Sequence, residues 1–427
     1  MRALNACGKS LLAGVAALAT LATLGTAHAR ISVLYAFKGG SDGAYPWAGL
    51  IEDSAGNLYS TTRGGGGRGC GAQGCGTVFR LAPDGTETVL HAFHGQKHGI
   101  SPEAGLIADK AGNLYGTTNG GGSGCFHYGC GTVFKVAPNG TETVLYSFEG
   151  NDHDDGTGPQ APLIENKAGN LYGTTSGGGG TGCSDGFGCG TVFKLAPDGT
   201  ETVLHAFAGG NDGANPLAGV IEGEAGDFYG TTMWGGGEGC DYVGFSGCGT
   251  VFKVAPNGTE TVLYSFAGGS DGANPYAGLI QDKAGNLYGT TNDGGIGCKA
   301  TNGCGTVFKL APDGTETVLH AFAGGSDGAY PWAGLIRDEG GNLYGTTAEG
   351  GGRGCHNYLY HGCGTIFRLA PDGAETVLYA FSKLQRHGAL PYAGLMKGGD
   401  GQLYGTASEG GDTGCSDGCG IVFSLRK

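Results

Sequence analysis

Residues 285–291 read Gly-Asn-Leu-Tyr-Gly-Thr-Thr, and this heptapeptide or a close variant occurs seven times along the chain. The copies open at Gly56, Gly112, Gly169, Gly226, Gly285, Gly341 and Gly401. The spacing between successive copies runs from 56 residues, between Gly56 and Gly112, to 60 residues, between Gly341 and Gly401. A repeat of this length is typical of solenoids, arrays and propellers, in which each unit packs against its neighbours.

Each unit contains four short apolar runs of the kind that form β-strands. In the fifth unit they are residues 277–281, 286–291, 305–311 and 315–322. Ala-Gly-Asn separates the first two runs and Pro-Asp-Gly the last two, and both tripeptides favour tight turns. No stretch of the mature chain has a helical apolar period long enough to assign. The unit is therefore predicted to be a four-stranded antiparallel sheet.

The two ends of the repeat region complement each other. Residues 32–37 form a single strand of the fourth type, whereas the last unit has only three strands and ends with residues 421–427. The first segment would complete the last sheet and close a ring. We therefore predict an all-β fold, a seven-bladed β-propeller of four-stranded blades closed by the N-terminal strand. The alternative is an open β-array, which would need polar capping units at both ends.

The N-terminal segment has the three parts of a secretory signal peptide. Arg2 and Lys9 are basic, residues 11–24 are apolar, and Ala27-His28-Ala29 is a small-x-small cleavage site. We predict a signal peptide over residues 1–29, a propeller domain over residues 30–427, and a secreted or periplasmic location. The apolar run is shorter than the roughly 20 residues of a membrane span. Membrane insertion is therefore not expected.

The charge of the chain excludes nucleic acid as a partner. Lysine and arginine number 24 against 38 acidic residues, and the formal net charge is −14. Such a surface repels polyanions, and the sequence has no basic cluster. The 95 glycines alternate with strand-like runs, so they are interpreted as turn residues and not as a sign of disorder.

The amino-acid sequence of the repeat resembles that of a known bacterial family. Residues 304–319 read Cys-Gly-Thr-Val-Phe-Lys-Leu-Ala-Pro-Asp-Gly-Thr-Glu-Thr-Val-Leu, and residues 268–280 read Gly-Gly-Ser-Asp-Gly-Ala-Asn-Pro-Tyr-Ala-Gly-Leu-Ile. Both resemble the GloVer (Gloeobacter–Verrucomicrobia) tandem repeat, and the resemblance covers nearly the whole mature chain. It implies an exported repeat architecture and supplies no catalytic residues. The strand-turn pattern is similar, more loosely, to NHL-type propellers.

Cysteines occur in pairs, one pair in each glycine-rich loop between the second and third strands. In an exported protein, such local and even pairing indicates disulfides. Zinc is the alternative, but a structural zinc site needs four ligands and each loop has two thiols. The predicted disulfides are Cys70–Cys75, Cys125–Cys130, Cys183–Cys189, Cys240–Cys248, Cys298–Cys304, Cys355–Cys363 and Cys415–Cys419.

Binding is expected on the face that carries the long loops. In an up-and-down blade the disulfide loops and the loops that enter each blade share one face, and long loops on a rigid scaffold are common binding sites. The residue after each loop proline should lie at the channel mouth. Around the ring these residues are Trp47, Glu103, Gln160, Leu217, Tyr276, Trp332 and Tyr392. Four aromatic residues thus fall on adjacent blades, and Tyr45 and Tyr330 precede two of the prolines. These rings either pack against neighbouring loops or form a platform for sugar rings.

Residues with acid–base chemistry are scattered over the same loops. They are His98, His356, His361, His387 and Tyr358, with Arg353 or Arg63 available to neutralise a uronate carboxylate. Scattered surface histidines are usually only solvated. Asp152, Asp154 and Asp155 crowd one loop and are candidates for a carboxylate pair in glycoside hydrolysis or for calcium ligands. The sequence contains no phosphate-binding loop and no nucleophile elbow.

The favoured hypothesis is a monomeric, non-catalytic exported propeller that binds a glycan, or another extracellular or envelope ligand, on its disulfide-loop face. One alternative is a carbohydrate-active enzyme, either a polysaccharide lyase or a glycoside hydrolase. A second alternative is a purely structural surface protein. No cofactor is predicted, with calcium as the alternative.

Overall fold

The computed structural model describes residues 29–426 except positions 68, 96, 126–127, 151–153, 181, 184–187, 238, 243–244, 299–302, 352–354, 356–361, 383–386 and 412–413. Seven four-stranded antiparallel sheets follow one another along the chain. We number them blades one to seven in chain order. The predicted all-β propeller of four-stranded blades is confirmed.

Each blade runs from a two-residue innermost strand to a longer outermost strand. The innermost strands are Ile51–Glu52, Ile107–Ala108, Ile164–Glu165, Ile221–Glu222, Ile280–Gln281, Ile336–Arg337 and Met396–Lys397. The second strands are Leu58–Thr62, Leu114–Thr118, Leu171–Thr175, Phe228–Thr232, Leu287–Thr291, Leu343–Thr347 and Leu403–Ala407. The third strands are Thr77–Leu81, Thr132–Val136, Thr191–Leu195, Thr250–Val254, Thr306–Leu310, Thr365–Leu369 and Ile421–Arg426. The outermost strands are Glu87–Ala92, Glu142–Ser147, Glu201–Ala206, Glu260–Ser265, Glu316–Ala321, Glu375–Ala380 and, for blade seven, Arg30–Ala36.

Small elements lie in the connections. Two-residue strands pair Gly156–Thr157 with Gly177–Gly178 and Asp241–Tyr242 with Phe245–Ser246. The described 3-10 helices are Gly71–Gln73, Gly210–Asp212, Glu224–Gly226 and Gly269–Asp271. No helix within the described part of the chain has the length and apolarity to cross a bilayer.

The N-terminal strand closes the ring. Arg30–Ala36 pairs antiparallel with Ile421–Arg426, from Arg30 opposite Arg426 to Ala36 opposite Ile421. Blade seven therefore takes its outermost strand from the start of the chain and its other three strands from the end. The predicted closure is confirmed.

The innermost strands are shorter than predicted, because part of their backbone bonds the neighbouring blade. In blade five the strand begins at Ile280, three residues later than expected. The hydroxyl of Thr231 in blade four donates to the carbonyl oxygen of Ala277 at 3.1 Å. All seven blades repeat this contact. In each blade the donor is the first threonine of the Thr-Thr pair, or of Thr-Ala in blade seven, and the acceptor is a carbonyl oxygen in the next blade. The heptapeptide is therefore an architectural motif.

The core between blades consists of phenylalanine pairs. The phenylalanine that follows each outermost strand packs edge-on against the third-strand phenylalanine of the next blade, with ring centroids 5.0 to 5.4 Å apart. The pairs are Phe37–Phe79, Phe93–Phe134, Phe148–Phe193, Phe207–Phe252, Phe266–Phe308, Phe322–Phe367 and Phe381–Phe423. All fourteen rings are buried. A residue repeated in every blade thus serves the stacking of the blades, and departures from the repeat are the place to look for function.

Candidate binding site at the channel mouth

The disulfide loops and the blade-entry loops lie on one face, as predicted, because they pair with each other. In blade one Ala44 of the entry loop forms an antiparallel bridge with Gly64, which follows the second strand. Equivalent bridges join Ile100 to Gly120, Ala214 to Trp234, Ala273 to Asp293, Ala329 to Glu349 and Ala389 to Glu409. We call this side of the ring the loop face.

The seven predicted disulfides are formed. The second cysteine of each pair is completely buried, so the bridges belong to the core as well as to the loops. Its carbonyl oxygen accepts the backbone N–H of the residue before the loop proline of the next blade, as between Cys304 and Tyr330 at 2.9 Å. Each bridge therefore anchors the neighbouring entry loop. Seven disulfides indicate an oxidising, extracellular or periplasmic compartment.

Four aromatic side chains form a continuous arc at the mouth of the central channel. Tyr276 packs on Trp332 with ring centroids 4.6 Å apart, Trp332 on Tyr392 at 5.1 Å, and Tyr392 on Trp47 at 5.3 Å. All four rings are partly exposed. They belong to blades five, six, seven and one, and we call them the aromatic arc. The remaining three blades have Glu103, Gln160 and Leu217 at the equivalent position.

Two cavities meet at the aromatic arc. The central channel contains a cavity of about 530 Å³, which is lined by the aromatic arc and by apolar residues such as Ala48 and Leu335. A second cavity of about 350 Å³ lies between blades seven, one and two, and Tyr45, Arg63 and Tyr128 contribute to it. Trp47 and Tyr392 line both cavities. Trp47 and Tyr392 therefore form a wall between an apolar and a polar cavity.

Arg63 completes one end of the aromatic arc. Its guanidinium lies over the Trp47 ring, 4.3 Å from the centroid, and its Nε donates to Glu103 Oε1 at 2.7 Å. Glu103 Oε2 accepts a hydrogen bond from Asn119 at 3.2 Å. Burial raises the pKa of Glu103, and the Arg63 charge opposes that rise. Arg63 is thus held between a carboxylate and an aromatic ring, and its role in neutralising a uronate stays a prediction.

Acidic side chains accompany the arc, and the sequence interpretation missed them. The second residue after the Thr-Thr pair is acidic in blades five and six, and so is the second residue after Thr-Ala in blade seven. These residues are Asp293, Glu349 and Glu409. Glu409 lines the smaller cavity beside Tyr392. Burial, and then the charges of Glu409 and Glu349, raise the pKa of Tyr392 to about 12. The sequence alone could have identified these acidic residues as departures from the repeat, because blades one to three have glycine at this position.

Two of the histidine candidates serve the architecture. In most blades an aspartate of the entry loop binds the outermost strand, as Asp271 accepts from Tyr264 at 2.6 Å. His98 and His387 stand in its place: His98 Nδ1 lies 3.0 Å from Glu142, and His387 Nδ1 lies 2.9 Å from the Tyr379 hydroxyl. Neither histidine lines the two cavities. Arg353, His356, Tyr358 and His361 lie outside the described residues.

One of the aspartates proposed as calcium ligands, Asp155, has structural partners. Asp155 is buried and accepts hydrogen bonds from the Tyr146 hydroxyl at 3.0 Å and from the Glu149 N–H at 2.7 Å. It is therefore the blade-three equivalent of Asp271. Asp154 is exposed with φ 55°, and Asp152 lies outside the described residues.

Among the described residues, one other group of side chains has the composition of a metal site. The ligand atoms of His205, Asp212 and Glu260 lie within 4.8 Å of one another. His205 and Asp212 are 3.2 Å apart and connect the outermost strand of blade three to its following loop. The same aspartate position pairs with tyrosine in other blades, so this group is explained by the repeat architecture.

The chain belongs to the Gloeobacter/Verrucomicrobia repeat family, whose model matches residues 8–243 and 240–427. The resemblance identified from the sequence of the repeat is therefore confirmed. No curated protein matches the chain.

Solved structures of similar fold have little sequence in common with this chain. One is the extracellular domain assigned to a hybrid two-component system, BT4673, of B. thetaiotaomicron, with 10% identity and a TM-score of 0.55. The match covers 91% of this chain and 39% of that one, so this chain spans about two-fifths of its length. Another is a fungal alcohol oxidase of the AA5 family in complex with copper, with 13% identity and a TM-score of 0.52, covering 93% and 76% of the two chains. At these identities the likeness shows the fold alone.

Proposed function

We propose that this member of the Gloeobacter/Verrucomicrobia repeat family is an exported, monomeric propeller that binds a glycan through the aromatic arc on its loop face. The observation that carries the proposal is the arc itself. Four partly exposed rings follow one another at the mouth of a cavity of about 530 Å³, with successive ring centroids 4.6 to 5.3 Å apart. They occupy the position after the loop proline, where the other three blades have Glu103, Gln160 and Leu217.

Sugar rings have flat apolar faces and polar edges, and the two cavities offer both kinds of surface. The aromatic arc supplies faces on which a ring can stack. The smaller cavity supplies polar side chains, among them Gln73, Ser101 and Ser408, within the same wall. Concave sites with aromatic walls and a few polar groups are typical of small-ligand binding. Preorganisation by the disulfides lowers the entropic cost of binding.

The export part of the proposal rests on two features. The first is the signal peptide expected over residues 1–29. The second is the set of seven disulfides, which persist in oxidising compartments. We propose no catalytic activity, because the described histidine candidates bind neighbouring strands and do not line the cavities.

The experiment that tests this function applies purified residues 30–427 to a glycan array, in parallel with an ultraviolet screen for unsaturated lyase products. Binding to a defined class of glycan without product formation is expected. Absence of binding on an array that covers neutral, acidic and amino glycans would contradict the proposal. Product formation would instead support the enzyme alternative.

A further inference from the structure

The junction between blades three and four brings together one imidazole and two carboxylates. His205 lies in the outermost strand of blade three, Asp212 lies in the entry loop of blade four, and Glu260 begins the outermost strand of blade four. Their ligand atoms lie within 4.8 Å of one another, and within the described part of the chain this is the one group of three such side chains that is so close. None of the three lines the two cavities, so the group is separate from the aromatic arc.

The repeat architecture explains why these side chains lie together, and the histidine changes what they can bind. At two other junctions the position of His205 is occupied by tyrosine. The hydroxyl of Tyr146 donates to Asp155 at 3.0 Å, and the hydroxyl of Tyr264 donates to Asp271 at 2.6 Å. A tyrosine therefore satisfies the aspartate with its own proton. A neutral imidazole can instead offer a nitrogen lone pair to a metal ion.

His205 and Asp212 already have the spacing of two ligands of one ion. The His205 ring packs edge-on against the buried Phe207 ring with centroids 4.8 Å apart, and Asp212 Oδ2 accepts the Ala208 N–H at 2.6 Å. His205 Nε2 lies 3.2 Å from Asp212 Oδ1. Two ligands of a tetrahedral zinc ion, with bonds of about 2.0–2.1 Å, are about 3.3 Å apart. The two atoms form a hydrogen bond when Nε2 carries a proton, and a metal ion would take the place of that proton.

Glu260 supplies a third ligand atom that the protein itself leaves unsatisfied. Its Oε1 is buried and has no hydrogen-bond partner. The Asp212 carboxylate lies close to it, and like charges at this distance repel each other. A divalent cation between the two carboxylates would remove the repulsion and give Oε1 a partner. To reach the bonding distance, the Glu260 carboxylate needs to move by at most about 1.5 Å, which a side-chain rotation provides.

We propose that His205, Asp212 and Glu260 bind a divalent transition-metal ion of the zinc type, with water as the remaining ligand. An imidazole nitrogen suits such ions, whereas calcium and magnesium favour sites made of oxygen ligands. The side chains of His205 and Asp212 are 18% and 23% exposed, so an ion and its water can enter. The bound ion links the outermost strands of two adjacent blades to the loop between them and stabilises the folded ring.

The test uses residues 30–427, prepared without an affinity tag and stripped of metal with a chelator. Calorimetric titrations with zinc, calcium and magnesium chlorides give the affinity for each ion. We expect zinc to bind at least about tenfold tighter than calcium or magnesium. At a free zinc concentration about 100 times the dissociation constant, the melting temperature should rise by about 2–5 °C, and chelator should reverse the rise.

Two variants and a matched control assign the ion to these residues. His205→Tyr introduces the residue found at the other junctions, and Glu260→Gln keeps the shape of the side chain, so both should fold. Each should weaken zinc binding about tenfold or more. His320→Tyr makes the same substitution between blades five and six, where the ligand atoms of His320, Asp327 and Glu375 do not all lie within 4.8 Å of one another. This variant should bind zinc like the parent.

Several results would overturn the inference. They are an absence of zinc binding by the parent, calcium or magnesium binding as tight as zinc binding, or parental zinc affinity in folded His205→Tyr and Glu260→Gln. Loss of zinc binding in His320→Tyr with none in His205→Tyr would place the ion elsewhere and would also overturn it. Thermal melting of each variant in the presence of chelator verifies that it is folded.

Discussion

At the scale of single residues, the entry loops of two arc blades, one and six, keep tyrosine in a backbone conformation that suits asparagine or glycine. Tyr45 and Tyr330 precede the loop prolines with φ of 58° and 56°. Blades four and five have Asn215 and Asn274 at the same position, with φ of 55° in both. Left-handed backbone is costly for most side chains and less so for asparagine. The tyrosines therefore occupy positions where the backbone alone would favour another residue.

This conformation makes an unusual prediction for substitutions of Tyr330. Tyr330→Asn should be more stable than Tyr330→Ala by about 0.5–1 kcal/mol, because both lose the ring but asparagine tolerates left-handed backbone. Chemical denaturation of the two variants gives the difference in free energy of unfolding. Equal stabilities, or a more stable alanine variant, would show that the backbone at this position is not strained.

Residue-level reasoning from the sequence located the aromatic arc but not the acidic residues beside it. Trp47, Tyr276, Trp332 and Tyr392 were found by comparing one position across the repeats. Glu349 and Glu409 belong to a second loop, and only the fold shows that the two loops pair. His98 and His387 were assigned to chemistry because their departure from the repeat is visible, whereas their contacts with Glu142 and Tyr379 depend on the stacking of the strands.

At the scale of elements, acidic residues of the entry loops meet the start of the outermost strands. The outermost strands of blades one to six begin with a partly buried glutamate, and in five of these blades the entry loop of the same blade places an aspartate beside it. Burial, and then the aspartate charge, raise the pKa of the glutamate to about 7 in Glu87, Glu201, Glu260, Glu316 and Glu375. One carboxylate oxygen of each has no hydrogen-bond partner. The blades therefore stack most favourably when these glutamates are protonated.

Thermal stability should consequently fall as the pH rises through neutrality. The glutamates bind protons more tightly in the folded than in the unfolded chain, so their stabilising effect is complete below about pH 4.5 and is lost as the pH rises from there through about 7. The turn aspartates such as Asp53 and Asp282 have lowered pKa values and lose their contribution in acid. We expect a higher melting temperature at about pH 5 than at about pH 8.

The variant Glu316→Gln isolates one of these groups. Its amide stays neutral beside Asp271, so the melting temperature at about pH 8 should rise relative to the parent and the pH dependence should become shallower. Differential scanning calorimetry across the pH range measures both effects. A parent melting temperature that is flat or rises between the two pH values would contradict this interpretation.

The sequence predicted the existence and order of the strands well, because alternating apolar runs and turn residues are local signals. The sequence-based prediction made the innermost strands too long. The backbone of residues 277–279 lies alongside blade four, where Thr231 donates to Ala277, and such a contact between blades leaves no local pattern.

At the scale of the whole molecule, blade seven joins blade one through the same kinds of contact that join the other blades, and these contacts complete the ring. Phe37 packs on Phe79 with ring centroids 5.1 Å apart, and the Thr406 hydroxyl donates to Ala48 at 3.1 Å. The N–H of Tyr45 donates to the Cys419 carbonyl at 2.8 Å. The junction thus repeats the contacts found between all other blades. The count of strand types in the sequence was enough to predict it.

Deletion of residues 30–37 should therefore damage the whole ring. It removes the outermost strand of blade seven, exposes the edge of Ile421–Arg426, and leaves the Phe79 ring without its partner. We expect aggregation or a large fall in melting temperature, measured by light scattering and calorimetry. A deletion variant that stays monomeric and melts like the parent would contradict closure by this strand.

The central claim is that the aromatic arc binds the ligand, and calorimetric titration of arc variants tests it most directly. With the tightest-binding glycan of the array, Trp332→Ala and Trp47→Ala should each lose about fivefold in affinity, because a stacked ring contributes on the order of 1 kcal/mol. Leu217→Ala, at the equivalent position on the far side of the ring, should bind like the parent. Equal affinity of the parent and both folded tryptophan variants would contradict the claim.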